Sequence, residues 1–113
     1  MIVTLTPNPS HDRTVALPAA LANLRVDVVF LGTNGITADY GLTTPDWDEA
    51  ATKRAMVASA RRSVVLADAS KIGTESPQRF ASLDEVEVLV TDDAIGPADR
   101  RELNRAGLEV VIA

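Results

Sequence analysis

"VDVVFLGTNGI", residues 26 to 36, decides the fold. Its first six residues are apolar or β-branched except for Asp27, and they run straight into Gly-Thr-Asn-Gly. A strand with one wet face alternates polar and apolar residues, whereas a nearly continuous apolar run ended by a turn reads as a strand covered on both faces. Similar runs lie on either side: "IVTLT" (2 to 6), "SVVLAD" (63 to 68), "VEVLVTD" (86 to 92) and "LEVVIA" (108 to 113). The segments between them read as helices. Residues 44 to 61 carry Thr44 as N-cap, Pro45 at the first helical position, and Asp46, Asp48 and Glu49 at the positive end of the dipole. Lys53, Arg54, Arg61 and Arg62 load the other end, and Trp47, Ala50, Ala51, Ala55, Met56 and Ala58 offer an apolar face.

Pro97 to Ala106 predicts a further helix, stopped by Gly107. Residues 16 to 24, "ALPAALANL", read as another, and Ser76 to Leu83 as a short one, with Trp47, Met56 and Phe80 in the core. Strands alternating with helices imply right-handed crossovers. The expected fold is α/β: a three-layer, Rossmann-like, mostly parallel sheet with flanking helices, in a single domain over residues 1–113.

With 46% hydrophobic residues, 24% charged and only 4% aromatic, the core must be built from Val, Leu, Ile and Ala. There is no cysteine and one histidine, so neither a disulfide nor a thiolate or histidine-based metal site is expected, and no cofactor. The net charge of −5 gives the chain no electrostatic footprint for nucleic acid, so no direct DNA contact is expected. No apolar stretch approaches the roughly 18 residues that span a bilayer, and the start lacks a basic region and long apolar core. A cytoplasmic protein without membrane contact is the expectation.

In an open α/β sheet, ligands bind beyond the carboxyl ends of the strands. Three loops leave that edge: Gly32-Thr33-Asn34-Gly35, Asp68-Ala69-Ser70-Lys71-Ile72-Gly73, and Thr91-Asp92-Asp93. Gly32 and Gly35 permit positive φ and close backbone approach, Thr33 and Asn34 carry groups suited to sugar hydroxyls, and Lys71 offers a point charge for a phosphate. Together they point to a small, polar, anionic ligand. The plainer readings are a turn for the Gly-rich loop, solvated surface for Lys71, a turn cap for Asp68, and a solvated helix face for Arg100, Arg101 and Glu102. His11 and Asp12 have the types of a catalytic pair, but adjacent residues rarely face one another and no nucleophile accompanies them.

"VDVVFLGTNGI", "GLTTPDWDEAATKRAMVASARRSVVLADASKIG" and "LDEVEVLVTDD" occur in an order and spacing that resembles the C-terminal half of the effector-sensing domain of DeoR-family transcriptional repressors of the fructose or glycerol type, over residues 16–113. The resemblance implies a truncated sensor related to ribose-5-phosphate isomerase that binds a phosphorylated sugar and thereby releases DNA. By position it places Thr33, Asn34 and Gly35 at the sugar, with Lys71 and Asp68 of the "DASK" segment at the ligand. The helix from Thr44 falls to the scaffold, with Lys53 a minor candidate.

Residues 1–15, within "MIVTLTPNPSHDRTVAL", resemble the start of 1-phosphofructokinase, a sugar kinase whose "NPSxD" Asp, here Asp12, contacts the sugar; that family has an apolar residue where His11 stands. The kinase's Gly-rich anion hole and catalytic Asp are not in this sequence, so no enzymatic activity is expected. A repressor of the DeoR type carries a helix-turn-helix and a phosphate-gripping Ser/Thr-Gly-Thr-Thr loop; neither is in this sequence, so weakened phosphate affinity is expected. Fructose 1-phosphate is the expected ligand because both resemblances point to fructose metabolism. A homo-oligomer is expected, and the strand "IVTLT" is expected to cover a sheet edge. The alternatives are a fragment of a 1-phosphofructokinase or sugar-phosphate isomerase-like enzyme, and a ligand-free dimerisation module.

Overall fold

A computed structural model describes residues 2–4 and 24–113; the helix expected at 16–24 and the His11–Asp12 pair fall outside the described residues apart from Leu24. Five parallel strands form one sheet in the order β1 (Ile2–Thr4), β2 (Val26–Gly32), β5 (Ala60–Leu66), β7 (Val88–Thr91), β8 (Glu109–Ile112). The leading strand does cover an edge, because Val3 pairs with Val29 and Thr4 with Phe30. Helix α1 (Trp47–Ser59) connects β2's side of the sheet to β5, and α2 (Pro97–Arg105) connects β7 to β8.

A second sheet was not expected from the sequence. β3 (Gly35–Thr37), β4 (Gly41–Thr44) and β6 (Gln78–Ala81) are antiparallel in the order β3-β4-β6. The segment read as a short helix from Ser76 to Leu83 is therefore mainly β6, whose Phe80 and Ala81 enter the core and whose Ala81 pairs with Leu42. Arg79 and Phe80 point to opposite sides, the alternation a strand imposes and a helix would not.

Strand register explains the core. Val29 and Leu31 of β2 pair with Ser63 and Val65 of β5, Val65 pairs with Leu89 of β7, and Leu89 with Val110 of β8. All of these are buried, and apart from Ser63 they form one apolar cluster with Met56, Phe80 and Leu103. Paired residues on the other face are unevenly covered. Val26, Val64 and Val88 are buried there, but Leu66 is 47% exposed and Val111 38%, so that face opens toward the carboxyl ends of the strands.

Helix α1 starts later than its acidic residues imply. Thr44 is the fully buried last residue of β4 and does not cap it; Asp46 is the N-cap, its carboxylate accepting from the Asp48 N–H at 3.2 Å. Trp47 consequently sits at the outer edge of the first turn and is 75% exposed, contrary to the core position expected of it. The helix runs into β5 without a loop, so Arg61 and Arg62 belong to the strand and leave the last turn of α1 without a basic residue. The α2 reading holds: Pro97 opens it, and Gly107 follows it at φ +99°, the left-handed conformation that ends a helix at low cost.

Candidate functional site

Loops after β2, β5 and β7 converge at the carboxyl edge of the parallel sheet. They bound a cleft of about 450 Å³ lined by Gly32, Thr33, Leu66, Ala67, Asp68, Lys71, Val90, Thr91, Asp92 and Ala113. Its apolar floor is the open end of the sheet face, Leu66 and Val90, and its rim is polar. An apolar floor with a few convergent polar groups is the usual make-up of a small-molecule site.

The loop carrying Lys71 is fixed from three sides. Asp68 caps the 3-10 turn Ala69–Lys71, its carboxylate accepting from the Ser70 N–H at 3.0 Å and from the Ser70 hydroxyl. The Ser70 hydroxyl holds the Asp68 carboxyl below the usual carboxylate range, opposed by desolvation and helped by the Ser70 N–H and the Lys71 charge. Asp92, from the loop after β7, accepts from the N–H groups of Ala69 at 3.4 Å and Ala94 at 3.0 Å, which ties that loop to its neighbour. Beyond the turn, the Gly73 N–H donates to the Ile36 carbonyl at 2.8 Å and Ile72 bridges to Ile36. Lys71 itself forms no ion pair among the described residues. Thr91, in the cleft wall, is 4% exposed and its hydroxyl has no hydrogen-bond partner among the described residues. Buried hydroxyls are rarely left so.

Of the five residues the sequence puts forward, Thr33, Asp68 and Lys71 meet in this cleft. The Thr33 hydroxyl is turned inward, its single hydrogen shared between the carbonyls of Gly35 at 2.9 Å and Thr43 at 3.1 Å. Asn34 is exposed outside the cleft lining, with its N–H donating to the Thr43 carbonyl at 3.1 Å. Gly35 is buried in β3, also outside the lining. Neither Gly32 nor Gly35 uses the positive φ that glycine permits. Close approach does hold at Gly35, but to this chain: a Cβ there would stand 2.2 Å from the Thr74 carbonyl oxygen.

The residue underweighted by sequence reasoning is Lys53. It is 1% exposed, and its Nζ donates to the Gly32 carbonyl at 2.8 Å and pairs with Glu49 at 2.9 Å. The Phe80 ring lies 5.2 Å away, and the other Glu49 oxygen accepts from the Thr44 hydroxyl at 3.1 Å. Lys53 thus pins the end of β2, where the cleft begins, from inside the protein. The signal in the sequence was the i,i+4 spacing of Glu49 and Lys53 on one helix face.

No group of three or more His, Cys, Asp or Glu among the described residues is arranged to hold a metal ion. No helix among them is long and apolar enough to cross a membrane.

Comparison with known proteins gives this geometry a lineage. The HTH-type transcriptional regulator GlpR of Haloferax volcanii is 41% identical over 114 residues, 96% of this chain and 45% of the relative. The HTH-type transcriptional repressor GlcR of Bacillus subtilis is 33% identical over 92 residues, 81% of this chain and 35% of the relative. The glycerol-3-phosphate regulon repressor of Haemophilus influenzae is 36% identical over 73 residues, 65% of this chain and 29% of the relative. The chain therefore spans less than half the length of these relatives. The family model of the DeoR C terminal sensor domain matches residues 13–93. On that match, which takes in α1, the antiparallel sheet, strands β2, β5 and β7 and the loops that follow those three strands, the chain belongs to the DeoR C-terminal sensor domain family.

Proposed function

We propose that this chain is the effector-binding part of a DeoR-type transcriptional regulator and that its ligand is a phosphorylated sugar, held at the carboxyl edge of the sheet without turnover. The observation that carries this reading is Lys71: a cation without an ion-pair partner among the described residues, held by a capped turn over an apolar floor beside the unspent Thr91 hydroxyl. A phosphate would take the Lys71 charge, the sugar would lie on Leu66 and Val90, and Asp68 and Asp92 would order the loops. Asn34 and Gly35 would act through the backbone that shapes the Thr33 turn. Fructose 1-phosphate is our first choice of ligand; glycerol 3-phosphate is the rival, since one relative is named for that regulon. DNA contact would come from elsewhere in the regulator, with this unit shifting the population between two conformations by differential affinity. Such a regulator works in the cytoplasm, on a Rossmann-like three-layer scaffold. The likeness of residues 1–15 to a kinase leader plays no part.

A second copy of the chain is the partner we infer for self-association. β8 ends the sheet order with Val111 38% and Ile112 37% exposed and with neither Pro nor Lys to blunt the edge, so another β8 can add to it across a two-fold axis.

The test is a thermal-shift titration with fructose 1-phosphate, fructose 6-phosphate, glycerol 3-phosphate and inorganic phosphate, with light scattering on the same samples. A ligand that binds only the folded state at about 100 times its Kd adds about 2.7 kcal/mol. A saturable rise for one sugar phosphate that Lys71→Ala diminishes is the expected result; a cooperative melt unmoved by any of them refutes the sensor reading. A strictly monomeric protein refutes the pairing of β8.

A further inference from the structure

A second groove, bordered by α1 and β6, shares no residue with the cleft. It has a volume of about 430 Å³ and is lined by Tyr40, Arg54, Pro77, Gln78, Arg79, Phe80, Ala81 and Glu85. Two guanidinium groups border it, and each is positioned by uncharged partners. Arg54 of α1 donates through Nη2 to the Arg79 carbonyl at 2.6 Å. Arg79 of β6 lies 5.3 Å from the centre of the Tyr40 ring, whose hydroxyl donates to the Pro77 carbonyl at 3.3 Å. Neither arginine forms an ion pair among the described residues. Glu85 is the one acidic residue of the lining, and its Oε1 already accepts from the Ser82 N–H at 2.8 Å and the Ser82 hydroxyl at 2.9 Å.

This is an unusual arrangement for a chain of net charge −5, in which carboxylates outnumber cations. An arginine with a carboxylate in reach normally takes it, bidentately. Here two guanidinium groups are fixed by a carbonyl and an aromatic ring, with most of their N–H donors left for something else. We propose that this groove is a second ligand site, one for the oxyanion of a small molecule, either a phosphate ester or a carboxylate, gripped between Arg54 and Arg79. β6 ends the small sheet, and an added peptide strand would have to pair with it. Arg54 already occupies the Arg79 carbonyl, which a strand added there would compete for, and a compact anion is the occupant that fits two guanidinium groups on one rim. The groove volume falls in the range of small-molecule sites.

The site stands independently of the sugar-phosphate reading, although the two are in physical contact. Phe80 in the wall of the groove lies under Lys53, and Lys53 holds the Gly32 carbonyl at the rim of the cleft.

The experiment is an NMR titration of the full chain with inorganic phosphate and, separately, with citrate. It follows the side-chain Nε–H signals of Arg54 and Arg79 and the amides of residues 78–81, in the unaltered protein and in Arg54→Gln, Arg79→Gln and Lys71→Ala. Saturable shifts at the groove are expected. Each arginine substitution, made at an exposed side chain, should weaken them about tenfold, the worth of one charge-assisted hydrogen bond, and Lys71→Ala should leave them unchanged. Response to phosphate alone assigns a phosphate ester, response to citrate alone a carboxylate, and response to both a general oxyanion site. Groove signals that stay still with both anions, that move equally in folded Arg54→Gln, or that vanish in Lys71→Ala overturn the proposal. That last pattern would assign phosphate to the cleft, so failure here is separable from failure of the sensor reading.

Discussion

Replacing Lys53 with Met removes the ammonium and keeps most of the apolar stem. Three groups lose their partner. The Gly32 carbonyl loses a donor at 2.8 Å, Glu49 loses its counter-ion at 2.9 Å, and the Phe80 ring loses a cation at 5.2 Å. A hydrogen bond to a charged group contributes about 1.5–3 kcal/mol, and breaking a buried pair by removing one partner costs about 3–5 kcal/mol, because it leaves the other charge uncompensated. Those figures overlap, since both count the same ammonium. Glu49 is not fully enclosed, with 17% of its side chain exposed, so water recovers part of its hydration. Lys53→Met is therefore expected to cost about 3–4 kcal/mol at neutral pH, a large share of the roughly 5–15 kcal/mol that holds a typical domain together. Urea unfolding should show the midpoint falling with little change in slope. The double substitution Lys53→Met, Glu49→Gln isolates the pair: with no stranded charge it should be more stable than the single Lys53→Met variant by about 1 kcal/mol or more. A loss below about 1 kcal/mol for Lys53→Met, or strict additivity in the cycle, would refute the view that this ion pair pins the end of β2.

Two further outcomes follow from the loops. Gly35→Ala sets a Cβ 2.2 Å from the Thr74 carbonyl oxygen and 2.6 Å from the Thr43 hydroxyl, so it should destabilise by at least about 1–3 kcal/mol; Gly32→Ala meets nothing within 4 Å and should stay within about 0.5 kcal/mol. Equal melting temperatures for the two variants would contradict the assignment of Gly35 to packing. Asp68 has its carboxyl held below its ordinary value of 3.8 when folded, so the stability it contributes is fully present above that value and is lost as pH falls through the folded pKa. Ser70→Ala should raise the Asp68 titration midpoint toward 3.8 in a carbon-detected NMR titration, and an unmoved midpoint would mean that the Ser70 hydroxyl does not cap the turn.

The parallel sheet was legible because burial on both faces writes itself into a strand as an unbroken apolar run. The apolar run that opens at Val26 and stops at the Gly-Thr-Asn-Gly turn matches β2, and Pro97 and Gly107 mark the ends of α2 by local backbone chemistry. The antiparallel sheet left no such mark. β3, β4 and β6 have only three or four residues each, too few for a period, and two of them begin with a glycine. Those glycines answer to distant backbone: a Cβ on Gly35 would strike Thr74, and one on Gly41 would stand 2.4 Å from the Ala81 carbonyl oxygen. Partners so far along the chain cannot be read locally. Trp47 misleads for the opposite reason, since hydrophobicity favours burial but a first-turn position can face water whatever the residue.

The cleft was legible as a place, because strand order dictates which loops meet at the carboxyl edge. Its chemistry was harder to apportion. Thr33, Thr43, Thr44, Lys53, Asp68 and Asp92 are the residue types that would serve a sugar phosphate, and in this protein they serve the backbone first. Thr43 is fully buried and its hydroxyl accepts from the Ser76 N–H at 2.9 Å; Thr44 spends its hydroxyl on Glu49, and Lys53 spends its ammonium on Gly32 and Glu49. A sequence counts donors and acceptors but cannot tell spent ones from free ones. Folding makes the distinction by satisfying every polar group it buries except those it leaves for another molecule. By that criterion two polar groups of the cleft lining stand apart among the described residues: the Thr91 hydroxyl, buried without a hydrogen-bond partner, and the Lys71 ammonium, which forms no ion pair. The turn that carries Lys71 is ordered in advance by Asp68 and Asp92, so under the proposed reading an anion would meet a preformed rim and would not bear the cost of ordering it.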